Sequence, residues 1–265
     1  MQFAANLSLL YTEVPVLARP ALAAADGFAA AEIQFPYEVA AADLHQALSH
    51  AGLPLVLHNT PKGPWADDFG LAAVPGREAD FADGLQQAIA YSRVLGNRLL
   101  HVMAGKVDQQ TGAADAARAT FVANLKLACV EAAKAGLTVV IEPINTRDVP
   151  GYWLNYQSQA LSVMDEVGAD NLKLMMDFYH AQIMEGDLIT RFLANQARIA
   201  HVQIAGVPAR GEPDVGEVDY RTILALLARH DTGMIGAEYK PSRGAVVNGT
   251  HDGLAWMKTL THNLP

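Results

Sequence analysis

Val139-Val140-Ile141-Glu142, Leu174-Met175-Met176-Asp177, His201-Val202-Gln203 and Met234-Ile235-Gly236-Ala237-Glu238 are four short apolar runs that each end on a side chain able to ligate a metal. Such a run, stopping at an oxygen donor, is the pattern of a buried parallel strand whose C-terminal end delivers a ligand into a shared pocket. Four such endings predict one site.

Outward from these runs, short β-rich segments alternate with longer alanine- and leucine-rich patterns. Strands are predicted near Phe3 to Leu10, Ala31 to Phe35, Leu55 to Asn59, Leu99 to Ala104, Leu137 to Asn145, Leu172 to Phe178, Ile199 to Ala205 and Met234 to Tyr239. Amphipathic stretches such as Ala79 to Leu95, Ala113 to Ala135, Gln157 to Val167 and Tyr220 to Arg229 read as helices. Eight βα units in a chain of 265 residues fit an α/β fold of the closed (β/α)8 TIM-barrel type better than an open sheet. No Gly-x-Gly-x-x-Gly or Walker-type loop follows a strand, which weakens a doubly wound nucleotide-binding alternative. Gly52, Gly96, Gly136 and Gly168 each precede a strand start, where a left-handed helix cap is expected. No linker or repeat interrupts the pattern, so residues 1–265 read as one domain.

Apolar residues make up 51% of the chain, which excludes disorder. No apolar stretch reaches the roughly 18 residues of a membrane span, and Met1-Gln2-Phe3-Ala4-Ala5-Asn6 lacks the basic flank of a secretory signal. A cytoplasmic protein is expected. The single cysteine, Cys129, lies in a helical pattern and reads as packing, so no disulfide framework or cysteine metal site is expected. A net charge of −9, with the basic residues scattered singly, disfavours nucleic acid and anionic membrane as partners and leaves a small-molecule substrate.

In a barrel, Glu142, Asp177, Gln203 and Glu238 line one side of the C-terminal mouth. Three carboxylates converging there repel by about 4 kcal/mol per close pair at an effective dielectric near 20. A divalent cation removes that cost. The all-oxygen donor set suits Mg²⁺ or Mn²⁺ over zinc. Around it, His180 is placed to hydrogen-bond a substrate oxygen, and Arg147, Arg210 and Lys240 are candidates to hold a substrate carboxylate, with Asp148 beside Arg147. The loop Val207 to Pro213, which carries Arg210, reads as a mobile lid or partner contact. His58 and Asn59 at the end of strand three are candidate substrate contacts, whereas His101 reads as a core histidine and Met175 and Met176 as core. Trp65 and Phe69 are candidates to roof the pocket.

Ile141-Glu142-Pro143-Ile144-Asn145, Met176-Asp177-Phe178-Tyr179-His180, His201-Val202-Gln203-Ile204-Ala205 and Gly236-Ala237-Glu238-Tyr239-Lys240-Pro241 resemble the motifs of the hydroxypyruvate isomerases. Those enzymes sit within the xylose-isomerase-like barrels, a group that also holds 2-oxo-tetronate isomerases and ketose 3-epimerases. The likeness runs from Phe3 through Trp256, and Gly211 to Tyr220 fits the family's loop before helix seven. The resemblance implies one divalent metal on the residues matching Glu142, Asp177, Gln203 and Glu238, with Glu142 and Glu238 shuttling a proton. Glutamine as third ligand, where epimerases usually have histidine, places the chain toward the hydroxypyruvate-isomerase branch. Close relatives tend to read Gly-Arg-His-Glu-Pro where this chain has Ala209-Arg210-Gly211-Glu212-Pro213, so a contact made by that histidine is absent.

The expectation is a metal-dependent isomerase that interconverts hydroxypyruvate and tartronate semialdehyde through an enediolate, with a 2-oxo-tetronate isomerase or ketose 3-epimerase as the alternative. A metal-dependent nuclease on the same barrel would need a basic groove and histidine-rich ligands, which the sequence lacks. A sugar-acid binding protein without catalysis would not need intact acids at all four strand ends. Pairing into a homo-oligomer is expected from the resemblance alone.

Overall fold

The computed structural model describes residues 1–107, 113–230, 232–243, 249–262 and 264. Eight parallel strands close into a barrel in chain order: β1 (Gln2–Asn6), β2 (Ala30–Ile33), β3 (Leu55–Asn59), β4 (Leu99–His101), β5 (Thr138–Ile141), β6 (Leu172–Asp177), β7 (Ile199–Ile204) and β8 (Met234–Ala237), with β8 pairing back onto β1. Nine α-helices among the described residues surround them: α1 (Arg19–Ala25), α2 (Ala41–Ala51), α3 (Glu78–Leu95), α4 (Ala113–Ala133), α5 (Gln157–Val167), α6 (Phe178–Met184), α7 (Leu188–Asn195), α8 (Tyr220–Arg229) and α9 (Ala255–Thr261). The predicted barrel is therefore the observed one, and α5 and α8 have the predicted bounds. The unit after β6 carries two helices, α6 and α7, where one was expected.

Several strands stop earlier than the sequence pattern suggested. The β5 ladder ends at Ile141 because Glu142 is followed by Pro143, which has no N–H to donate. Beyond β4 the chain leaves the barrel at Val102 and lines its mouth instead. Helix ends follow local chemistry. Asp219 caps α8 by accepting from the backbone N–H groups of Arg221 and Thr222 at 3.1 and 3.3 Å, and Gly52, Gly96, Gly136 and Gly168 all sit at positive φ as expected.

Two shells of buried side chains fill the space between strands and helices. One joins β1, β2, β7 and β8 to α1, α2, α8 and α9, and the other joins β4, β5 and β6 to α3, α4 and α5. Cys129 is buried in the second, as its helical setting predicted. A smaller cluster of Leu57, Val140 and Met175 underlies the site. The parallel register slips twice, between Ala31 and Glu32 and between Leu174 and Met175, and the second slip brings Asp177 opposite Gln203. Among the described residues, no helix is long and apolar enough to cross a membrane.

Trp256 of α9 ties the β8–β1 closure to the helical layer. Its ring meets Phe3 edge-on at 4.9 Å and its indole N–H donates to the Tyr239 hydroxyl at 3.1 Å. Replacing this fully buried ring by alanine is expected to cost about 3–5 kcal/mol. Urea unfolding of Trp256→Ala checks it, and a loss under about 1 kcal/mol would mean the closure does not depend on this contact.

Candidate metal centre and active site

The four donors arrive as the strand endings dictate. Glu142 and Glu238 stand one residue beyond β5 and β8, Asp177 is the last residue of β6, and Gln203 lies within β7 in register with Asp177. All four are buried. Asp177 also caps α6, its Oδ1 accepting from the Tyr179 N–H at 2.7 Å, which holds the carboxylate still and leaves Oδ2 free for the pocket. One ligand atom from each of Glu142, Asp177, His180 and Glu238 lies within 4.8 Å of the others.

Glu142 Oε1, Asp177 Oδ2 and Gln203 Oε1 are buried and have no hydrogen-bond partner. A buried acceptor left unpaired costs about 1–3 kcal/mol, so three at one spot are strongly unfavourable unless something fills the gap between them. A divalent cation fits that donor set. His180, although it lies within the same group, is a poorer ligand than Gln203. Its Nδ1 accepts from the Asn145 backbone N–H at 3.3 Å and faces the Asn145 side-chain nitrogen at 2.6 Å, so the proton resides on Nε2. That N–H faces the acids, 3.7 Å from Asp177 Oδ2 and 3.9 Å from Glu142 Oε1, too far to hydrogen-bond either.

Burial sets the electrostatics. Glu142 is pushed well above the usual carboxylate range by desolvation and by the charges of Glu238 and Asp177. Asp177 is raised to about 7 by desolvation and Glu238, against the pull of Arg210 and two backbone N–H groups. Glu238 is raised by desolvation, with Arg210 and Gln34 opposing. His180 is held well below its ordinary value by desolvation, Arg210 and His101, and His101 falls to about 3 by desolvation alone, so both imidazoles are neutral.

Of the three predicted cations only Arg210 reaches the site. Its guanidinium donates to Glu238 Oε2 at 2.7 Å and Asp148 Oδ2 at 3.2 Å, and lies 3.4 Å from His180 Nε2. Arg210 itself adopts φ +56°, a left-handed conformation that costs a non-glycine residue on the order of 1–3 kcal/mol and is typical of residues held in place by function. Its loop, expected to be a mobile lid or a partner contact, is pinned to its neighbours. Gly206 N–H donates to Gly211 O at 2.8 Å, Lys240 N–H to Arg210 O at 2.7 Å, and the buried Glu212 carboxylate accepts from Ser242 and Arg243 beyond β8. Arg147 and Lys240 are exposed and line no part of the pocket.

The two histidines exchange their expected places. His58 faces the helical layer, bonding Ser92 of α3 at 2.8 Å, because adjacent strand residues point to opposite faces and Asn59 takes the inward one. His101 faces inward beside it, 3.2 Å from Asn59 Oδ1, with Nε2 unpaired in the pocket. Trp65 is 65% exposed under the Arg77 guanidinium and does not roof the site, whereas Phe69 and Phe35 do line it. Met175 lines its floor. The cavity is small, about 40 Å³. Sequence reading passed over Asn6, Glu32 and Gln34 on its wall. The signal available was a lone acid, Glu32, inside the apolar run Ala30-Ala31-Glu32-Ile33.

The family model for the Xylose isomerase-like TIM barrel matches residues 20–260. The chain belongs to this family. Within the xylose isomerase-like barrels it is 49% identical to a 2-oxo-tetronate isomerase of Cupriavidus necator, over 97% of both chains. It is 40% identical to the hydroxypyruvate isomerase of Escherichia coli, across 97% of this chain and 98% of that one. A crystal structure described as an AP endonuclease, family 2, from Brucella melitensis superposes with TM-score 0.92 at 40% identity, covering 97% of this chain and 98% of the other.

The raised acids make stability depend on pH. A carboxylate lifted from 3.8 unfolded to about 7 folded contributes stability below the lower value and loses it as pH rises through the upper one. Asparagine keeps the cap of α6 without the charge. Metal-free Asp177→Asn is therefore expected to gain stability over the parent as pH rises from about 4 to about 8. Urea midpoints at both ends of the range check this, and a difference that stays constant with pH would refute it.

Proposed function

We propose that this barrel isomerises a small hydroxy-oxo acid, hydroxypyruvate to tartronate semialdehyde in the first instance, by moving a proton between adjacent carbons. The observation that carries the reading is the pair Glu142 and Glu238, buried on opposing strand ends with carboxylate oxygens within 4.8 Å of one another and of Asp177. A 1,2-proton transfer needs an acid–base group beside each of two carbons, and these two supply it. Glu142, Asp177, Gln203 and Glu238 would hold a divalent ion, which would supply Lewis-acid charge to the substrate, and all-oxygen donors suit Mg²⁺ or Mn²⁺.

The chain's own groups do the rest. One glutamate takes the proton from C3, the carbon bearing the hydroxyl, and the other returns a proton to C2, while the hydroxyl proton passes from O3 to O2. His180 offers its Nε2–H to an enediolate oxygen, neutral because of its burial. Arg210 is the one predicted cation within reach of the substrate carboxylate. Phe35 and Phe69 keep water from the enediolate.

The relative at 49% identity favours a second reading, 2-oxo-tetronate, which has the same carbonyl and neighbouring hydroxyl and differs by one CH₂OH group. Comparing kcat/KM for the two acids decides between them. A nucleic-acid substrate has little support, since the net charge is −9.

Two outcomes are expected. EDTA abolishes turnover, and Mn²⁺ or Mg²⁺ restores it; full activity after exhaustive chelation would sink the metal role. Glu142→Gln and Glu238→Gln each lower kcat by about 10²- to 10⁴-fold at saturating Mn²⁺ with the fold intact by circular dichroism, and near-parent turnover in either removes that residue from the proton transfer.

A further inference from the structure

Glu32 is a buried acid facing the pocket, and the proton transfer does not use it. It is 1% exposed, and the slip in register between Ala31 and Glu32 turns it into the barrel. Opposite, Gly236 makes its space: a Cβ there would overlap Glu32 Oε1 and come within 2.7 Å of Gln203 Cγ. Oε1 of Glu32 bonds His201 Nε2, and Oε2 accepts from Gln203 Nε2 at 2.8 Å and Asn6 Nδ2 at 3.3 Å. The same Asn6 nitrogen donates to Glu238 Oε1 at 2.9 Å.

Glu32 Oε2 accepts from the Gln203 amide nitrogen, so nitrogen is the end of the amide that touches the acid. The other end is then oxygen, and that atom is the buried, unpaired Oε1. An amide has two nearly isosteric orientations, and here the acid selects one. We propose that Glu32 is the positioning residue that turns the Gln203 oxygen toward the cation and, through Asn6, steadies Glu238. The inference rests on the reading of Gln203 as a metal ligand.

The test is Mn²⁺ binding to metal-free protein, followed by the electron paramagnetic resonance of free Mn²⁺, alongside thermal unfolding. In Glu32→Gln the partner at position 32 can donate as well as accept, so the Gln203 amide is free to turn its NH₂ toward the ion. Mn²⁺ Kd is expected to rise about 10- to 100-fold, as for other groups that orient a ligand. The double variant Glu32→Gln/Gln203→Glu exchanges amide and carboxylate, restores an oxygen to the pocket and the bond between the two side chains, and is expected to recover the lost affinity. A purely structural role would move the unfolding temperature and leave the Kd of folded protein unchanged. Parent-like Kd in Glu32→Gln, or a double variant that binds no tighter than the single, overturns the proposal. If the single variant does not fold, the double variant decides: parent-like binding supports it, and weak binding or failure to fold overturns it. A parent chain that binds no Mn²⁺ would overturn the metal reading and this inference together, whereas parent-like binding in the variant overturns this inference alone.

Discussion

The structure is organised around an unfavourable interaction: three carboxylates forced together out of water. Glu142, Asp177 and Glu238 are brought into one small space by the closure of β5 to β8, and each is raised above its ordinary acidity chiefly by desolvation. Arg210 compensates part of the charge through Glu238. The remainder is left as unpaired acceptor atoms on Glu142 and Asp177. A site so built has low stability in its own right, and its buried acids form a group that could hold a compact cation. The barrel makes this tolerable. Its large buried shells hold the strand ends rigidly enough that the acids cannot relax apart.

That rigidity also explains which parts were legible in the sequence. Strands of a parallel barrel are buried on both faces, so Val139-Val140-Ile141 and Leu174-Met175-Met176 stand out as uncharged runs, and the residue that ends each run is at the mouth by geometry. Side-chain direction is less legible. His58 and Asn59 are both polar and adjacent, and no pattern of polarity says which faces inward; pairing with His101 across the β3–β4 register decides it. Arg147, Arg210 and Lys240 look equivalent as single cations on loops. Only the backbone turn at Arg210, and the bonds that pin its loop to Lys240 and Ser242, distinguish the one that points in.

Glu32 was hidden for a related reason. One acid in a four-residue strand resembles a solvated position, and its partners Asn6, His201 and Gln203 lie 26, 169 and 171 residues away. The glycine that gives it room, Gly236, belongs to a run whose smallness looked like ordinary strand packing. Long-range polar networks of this kind follow from closure of the barrel, which brings β1, β2, β7 and β8 into contact, and local periodicity carries no trace of them.

The three acids and the glutamine all come from β5 to β8, while Phe35, Asn59, Phe69, His101 and Met103 line the pocket from the β2–β4 side, beside Glu32 and Gln34. On the proposed reading the proton-transferring acids belong to the later half of the chain and the aromatic lining to the earlier half. Drift in Phe35 and Phe69 can then reshape which acid enters while the acids stay in place, which lets one scaffold diversify its substrates without reinventing its reaction.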